Sequence, residues 1–115
     1  MPAFGAVQTP TSLSSGESVA VLNAENLGSG ALTMAVSFTP QPVPVTLAIY
    51  NNSSQTVDLV ASPDLTSGDY LPVYAGETAI TVATDTVGIF QVASGLYYAI
   101  KAGGAITAGT IWLAR

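Results

Sequence analysis

From Val45 to Tyr50 the chain alternates strictly, with Val45, Leu47 and Ile49 apolar on one side and Thr46, Ala48 and Tyr50 on the other. A period of two is what a half-buried β-strand requires, because successive side chains leave opposite faces of the pleat. Val57, Leu59 and Ala61 stand in the same relation to Thr56, Asp58 and Val60. No stretch carries a sustained apolar repeat of 3.6 residues. Short segments rich in Val, Ile, Thr and Tyr are instead cut by clusters of Gly, Pro, Asn, Ser and Asp, the pattern of an all-β chain. It predicts strands over residues 18–23, 32–38, 45–50, 56–61, 70–74, 79–84, 89–93, 96–101 and 110–114. That many short strands suit an antiparallel β-sandwich or a small jelly roll.

The punctuation between strands adds connections. Asn51-Asn52-Ser53-Ser54-Gln55 has turn chemistry, since Asn tolerates left-handed backbone and Ser bonds its own main chain. It predicts a hairpin between the strands on either side. Ala102-Gly103-Gly104-Ala105 predicts a second reversal through positive φ at the glycines, with residues 96–101 antiparallel to 110–114. Residues 1–17 hold Pro2, Gly5, Pro10, Gly16 and a Ser/Thr-rich stretch, and read as an extended N-terminal arm before one domain over residues 18–115. Pro40, Pro42 and Pro44 stiffen a crossing between two sheets.

Composition removes most chemistry. The 115 residues include no His and no Cys, so there is no imidazole base, no thiolate and no zinc site of the usual ligands. With Lys101 and Arg115 as the only cationic side chains and a net charge of -5, the chain lacks the means to neutralise a run of phosphates. Neither direct nucleic-acid binding nor attraction to an anionic membrane is expected. The longest charge-free stretch, residues 26–57, is interrupted by prolines and polar residues, so no transmembrane helix is predicted. The first residues lack the basic region and apolar core of a secretion signal, and the absence of cysteine fits folding in a reducing compartment.

The acids Glu17, Glu25, Asp58, Asp64, Asp69, Glu77 and Asp85 are scattered singly, mostly in predicted turns. Two carboxylates would suffice for glycoside hydrolysis, but turns recruit Asp for local hydrogen bonds and so short a chain builds no large cleft. Asp64 and Asp69 lack the spacing of an EF-hand, and no cofactor or metal is expected. The glycines form no phosphate loop, and the two glycosylation acceptor patterns at Asn51 and Asn52 read as chance. Tyr97 and Tyr98 fall on opposite faces of one strand, close to Trp112 on a strand expected beside it. One tyrosine is therefore available to stack on a sugar or anchor an interface. With 8% charged residues against 49% hydrophobic, the exterior must be neutral and built from small side chains. Soluble monomers carry more charge than this, so self-assembly or burial in a larger assembly is expected, with no enzymatic activity.

The stretch Val45-Thr46-Leu47-Ala48-Ile49-Tyr50-Asn51-Asn52, the loop Thr66-Ser67-Gly68-Asp69-Tyr70-Leu71-Pro72-Val73, and the ending from Gly88-Ile89-Phe90-Gln91-Val92 through Leu96-Tyr97-Tyr98-Ala99-Ile100-Lys101 to Gly109-Thr110-Ile111-Trp112-Leu113 resemble small tailed-bacteriophage virion proteins. The resemblance implies a head decoration, or cement, protein: a homotrimer that sits on the lattice of the major capsid protein, on the capsid exterior of a virion, and is made in the host cytoplasm. Phe4, Val7, Leu13, Tyr97, Tyr98 and Trp112 are the candidate interface residues. Two alternatives stand beside it, a carbohydrate-binding β-sandwich module and a tail or baseplate component.

Overall fold

A computed structural model describes residues 10–39, 41, 43–65 and 69–115. Twelve strands follow in order: β1 (Thr11–Leu13), β2 (Ser18–Asn23), β3 (Val36–Phe38), β4 (Val45–Ser53), β5 (Val57–Ser62), β6 (Leu71–Pro72), β7 (Tyr74–Ala75), β8 (Thr78–Ala79), β9 (Thr81–Val82), β10 (Thr86–Val92), β11 (Tyr97–Ala102) and β12 (Gly109–Ala114). One sheet runs β10-β4-β12-β2; the other runs β1-β3-β11-β5-β6 with β9 also on β5, and β7-β8 form a small separate ribbon. Pairing is antiparallel apart from β1 with β3, so the fold is the all-β sandwich expected.

The two sheets enclose one core because their strands alternate. Val45, Leu47 and Ile49 of β4 and Ile111 and Leu113 of β12 meet Val57 and Leu59 of β5 and Tyr98 and Ile100 of β11, all at most 1% exposed. β2 departs from alternation: Ile111 faces Leu22 while Trp112 faces Ala20, so Val21 is an extra residue, and Val21 and Leu22 are both buried. A bulge lets two consecutive apolar residues enter the core.

Neither expected hairpin exists as a paired ladder. β4 lies in one sheet and β5 in the other, and β11 and β12 are divided in the same way. Each connection is an arch over the edge of the core, and the ladders form between arches, β4 with β12 and β5 with β11. The first arch is bracketed by Asn51, whose buried amide donates to the carbonyls of Gln55 at 2.9 Å, Val82 at 3.0 Å and Ala83 at 3.1 Å. Its Oδ1 accepts from the backbone N–H of Ser53 at 3.1 Å and from the Ser53 hydroxyl at 2.6 Å. The second arch packs directly on the first. Gly103 and Gly104 do not take positive φ; a Cβ on them would lie 2.7 Å from the Thr56 carbonyl oxygen and 2.6 Å from Gln55 Oε1. Gly103 is a glycine for lack of room against backbone, whereas at Gly104 the Gln55 side chain could swing aside. Gly109 needs both properties, with φ 105° and a would-be Cβ 2.1 Å from the Asn52 carbonyl oxygen.

Part of the expected arm belongs to the sandwich. Thr11–Leu13 pairs with β3, Leu13 is 1% exposed, and the Gly16 N–H bonds the Arg115 carbonyl at 2.8 Å. Residues 1–9 lie outside the described residues. The expected strand over 32–38 is broken, because the Thr33 hydroxyl accepts from the Ile100 N–H at 3.1 Å where a ladder carbonyl would otherwise stand.

Candidate functional site

The solvent-facing side of the β10-β4-β12-β2 sheet carries a compact apolar surface. Register places Val87, Tyr50, Trp112 and Ala20 in one row across the four strands. The next row is Ile89, Ala48, Ala114 and Ser18. Trp112 is 40% exposed, Tyr50 45%, Val87 51% and Ile89 68%. Trp112 and Tyr50 are exposed because their neighbours in sequence are buried: Ile111, Leu113 and Ile49 turn inward and the pleat turns Trp112 and Tyr50 outward. Neither row contains a charged residue. Single exposed apolar side chains are ordinary, but a contiguous neutral group of two aromatic and two branched aliphatic side chains marks an interaction surface. Covering them would contribute about 1 kcal/mol each, given that all are already partly buried.

The cationic groups lie elsewhere. Arg115 turns inward, donating from Nη1 to the Leu13 carbonyl at 2.9 Å and from Nη2 to Gln41 Oε1, with its guanidinium 6.0 Å from the centre of the Phe38 ring. Lys101 faces Asp58 on the outer side of the opposite sheet. The described surface therefore has no basic patch. No family model matches the chain. No curated protein and no solved structure matches it either.

The candidate interface residues separate. Trp112 is on the exposed face. Tyr98 is core, stacked 5.2 Å from Phe38 with its hydroxyl donating to the Ala93 carbonyl at 2.7 Å, and burial pushes its phenol above the ordinary range. Leu13 is core as well, so neither presents a surface: tyrosine and leucine at these positions fill the space between sheets. Tyr97 is half-buried beside a groove of about 230 Å³ with Pro10, Phe38 and Leu96. Phe4 and Val7 lie outside the described residues. Tyr50, Val87 and Ile89 were not among the sequence candidates; the alternation of residues 45–50 already set Tyr50 opposite the core.

Other surfaces offer little chemistry. The Asp69 carboxyl is held above the usual range by its hydrogen bond with Asp64 and by the repulsion between the two. Tyr70 is raised by burial, then by the charge of Asp64. Two carboxylates fall short of the six to eight oxygens that calcium takes, and no group of three potential metal ligands occurs among the described residues. A groove of about 460 Å³ between Gln41, Val43, Pro44 and residues 91–94 is lined by no titratable side chain among the described residues. Asn51 is buried within its own network, so of the two acceptor patterns only Asn52 is exposed.

Proposed function

We propose that the protein is a non-enzymatic structural protein of a virion, a capsid decoration (cement) protein that seats on the outer head lattice and stabilises it by symmetric, repeated contact. The observation that carries this reading is the neutral surface of Trp112, Tyr50, Val87 and Ile89 on one sheet face. A rigid, twisted sheet holds those side chains with little conformational entropy left to lose on docking. Flat apolar contacts of this size are individually weak, and a homotrimer would make them tight by engaging three sites at once. The same surface would serve a tail or baseplate component.

A carbohydrate-binding module is the second reading, favoured by Tyr50 and Trp112 standing directly opposite one another on neighbouring strands. Stacked sugars use such platforms, but they also need polar partners for their hydroxyls, and Val87 and Ile89 supply none. Protein contact fits the aliphatic pair better.

The test mixes the protein with tailed-phage heads stripped of outer proteins and follows co-sedimentation, with native mass read by light scattering at low and high salt. Binding is expected, together with a native mass at a whole multiple of three times 11.6 kDa, the same at both salts. A Tyr50→Ser, Trp112→Ser double variant is expected to stay folded and lose binding. Full binding by the double variant, or titration heat with a glycan panel and no association with heads, would sink the proposal.

A further inference from the structure

The four ends of the two sheets are treated differently. On the larger sheet the edges are short: β1 has three residues, and β6 and β9 have two each. On the smaller sheet β2 is distorted by the bulge at Val21 and flanked by Glu17 and Glu25. Short strands, bulges and charges are the means by which proteins stop an edge from pairing with another chain. β10 is neither short nor bulged, and the charge beside it is Asp85 at one end. It runs seven residues, Thr86-Val87-Gly88-Ile89-Phe90-Gln91-Val92, with no charge and no proline, and keeps register with β4 through seven successive pairs without a shift. Among the described residues no strand pairs with its other side.

We infer that β10 is the seam of a two-fold contact between two copies of this chain, antiparallel and centred on Ile89. A dyad at Ile89 sets Ile89 against Ile89 of the second copy, Val87 against Gln91, Gly88 against Phe90 and Thr86 against Val92. The strand is complementary to itself in this register. The only nearby charge, Asp85, falls opposite Ala93, so no acid meets an acid even though each copy carries a net charge of -5. Pairing joins two four-stranded sheets into one of eight strands. The exposed row Ile89-Ala48-Ala114 then continues into its own image, and the 68% exposure of Ile89 is explained by a partner isoleucine. A two-fold seam holds whether or not copies also gather around a three-fold axis, and it does not depend on what the sheet face docks against.

The absence of cysteine makes the register directly testable. Directly opposed residues of antiparallel strands have Cα atoms about 4.5–5.5 Å apart, within the span of a disulfide. Under mild oxidation Ile89→Cys is expected to form a covalent dimer at least tenfold faster than Val87→Cys or the exposed control Thr46→Cys. An equimolar mixture of Val87→Cys and Gln91→Cys should give the mixed dimer in excess over either homodimer. Ile89→Lys should lower the native mass, and mixing it with Ile89→Glu should restore it. All four positions are exposed, and an unchanged urea midpoint shows that the variants fold. Equal cross-linking at 87, 89 and 46, or a native mass unchanged by Ile89→Lys, overturns the inference.

Discussion

The two outer faces of the sandwich are built from the same kinds of residue and have opposite fates. On the larger sheet, Val60 and Ala99 stand side by side facing outward, yet both are buried, because Leu32 and Tyr70 fold over them into a second small cluster. Asp58 and Lys101 complete that face as a cross-strand pair of opposite charge. On the smaller sheet the equivalent positions, Tyr50, Trp112, Val87 and Ile89, are exposed, and no buried cluster of described residues forms over them. Among the described residues, loops thus cover one apolar outer surface and leave the other open. Selective exposure of this kind is a property of the molecule, since the means of hiding such a surface is already in use a sandwich's thickness away.

Lysine substitution probes this difference most strongly. Val60→Lys should destabilise by about 3 kcal/mol, since a charge without a partner enters the small cluster, whereas Ile89→Lys should change the urea midpoint by the equivalent of less than about 0.5 kcal/mol. Equal costs would erase the distinction between the faces. Leu32→Ala, which opens the cover, should cost about 2–3 kcal/mol in the same assay. A double-mutant cycle on Tyr50 and Trp112 should return a coupling of only about 0.5–1 kcal/mol, as for other cross-strand aromatic pairs. Trp112 is the only tryptophan, so its emission should be that of a solvated indole in the free protein and shift to the blue when the face is covered. The smallest effect concerns pH. The Asp69 carboxyl titrates higher folded than unfolded, so it favours the fold below the ordinary carboxylate range, and that contribution is lost as pH rises through its raised value. Loosening around Tyr70 is expected across that window by NMR, and Asp69→Asn should abolish it.

Much of this architecture was legible in the residues. Alternation at Val45, Leu47 and Ile49 identified a strand and its buried side, and residues 18–23 form the strand expected of them. Alternation does not say which strand is the neighbour. Asn and Ser reverse a chain equally well within a sheet or between sheets, and only the buried bracket of Asn51 with Val82 and Ala83, some 30 residues away, makes the turn an arch. Nor does it say which outward-facing apolar residue will be covered: Val60 and Tyr50 have the same parity relative to the core, and the difference lies in Leu32, on a distant loop. Val87 and Ile89 were hidden for another reason, since β10 is apolar on both sides and its period is blurred.

The arches also set the order in which the protein can be made. Consecutive strands such as β4 and β5 cannot zip together locally, and the central place between β4 and β2 is filled by β12, the last strand of the twelve. Fifty-five residues separate the end of β4 from the start of β12. At ribosomal speeds of about 5–20 residues per second the gap lasts roughly 3–11 s. Throughout that interval the growing chain holds two halves of a sheet with no keystone. Closure over such long sequence separations is slow, so a nascent chain of this design stays unlocked until β12 emerges, and deleting the six residues of β12 would remove the strand that joins β4 to β2.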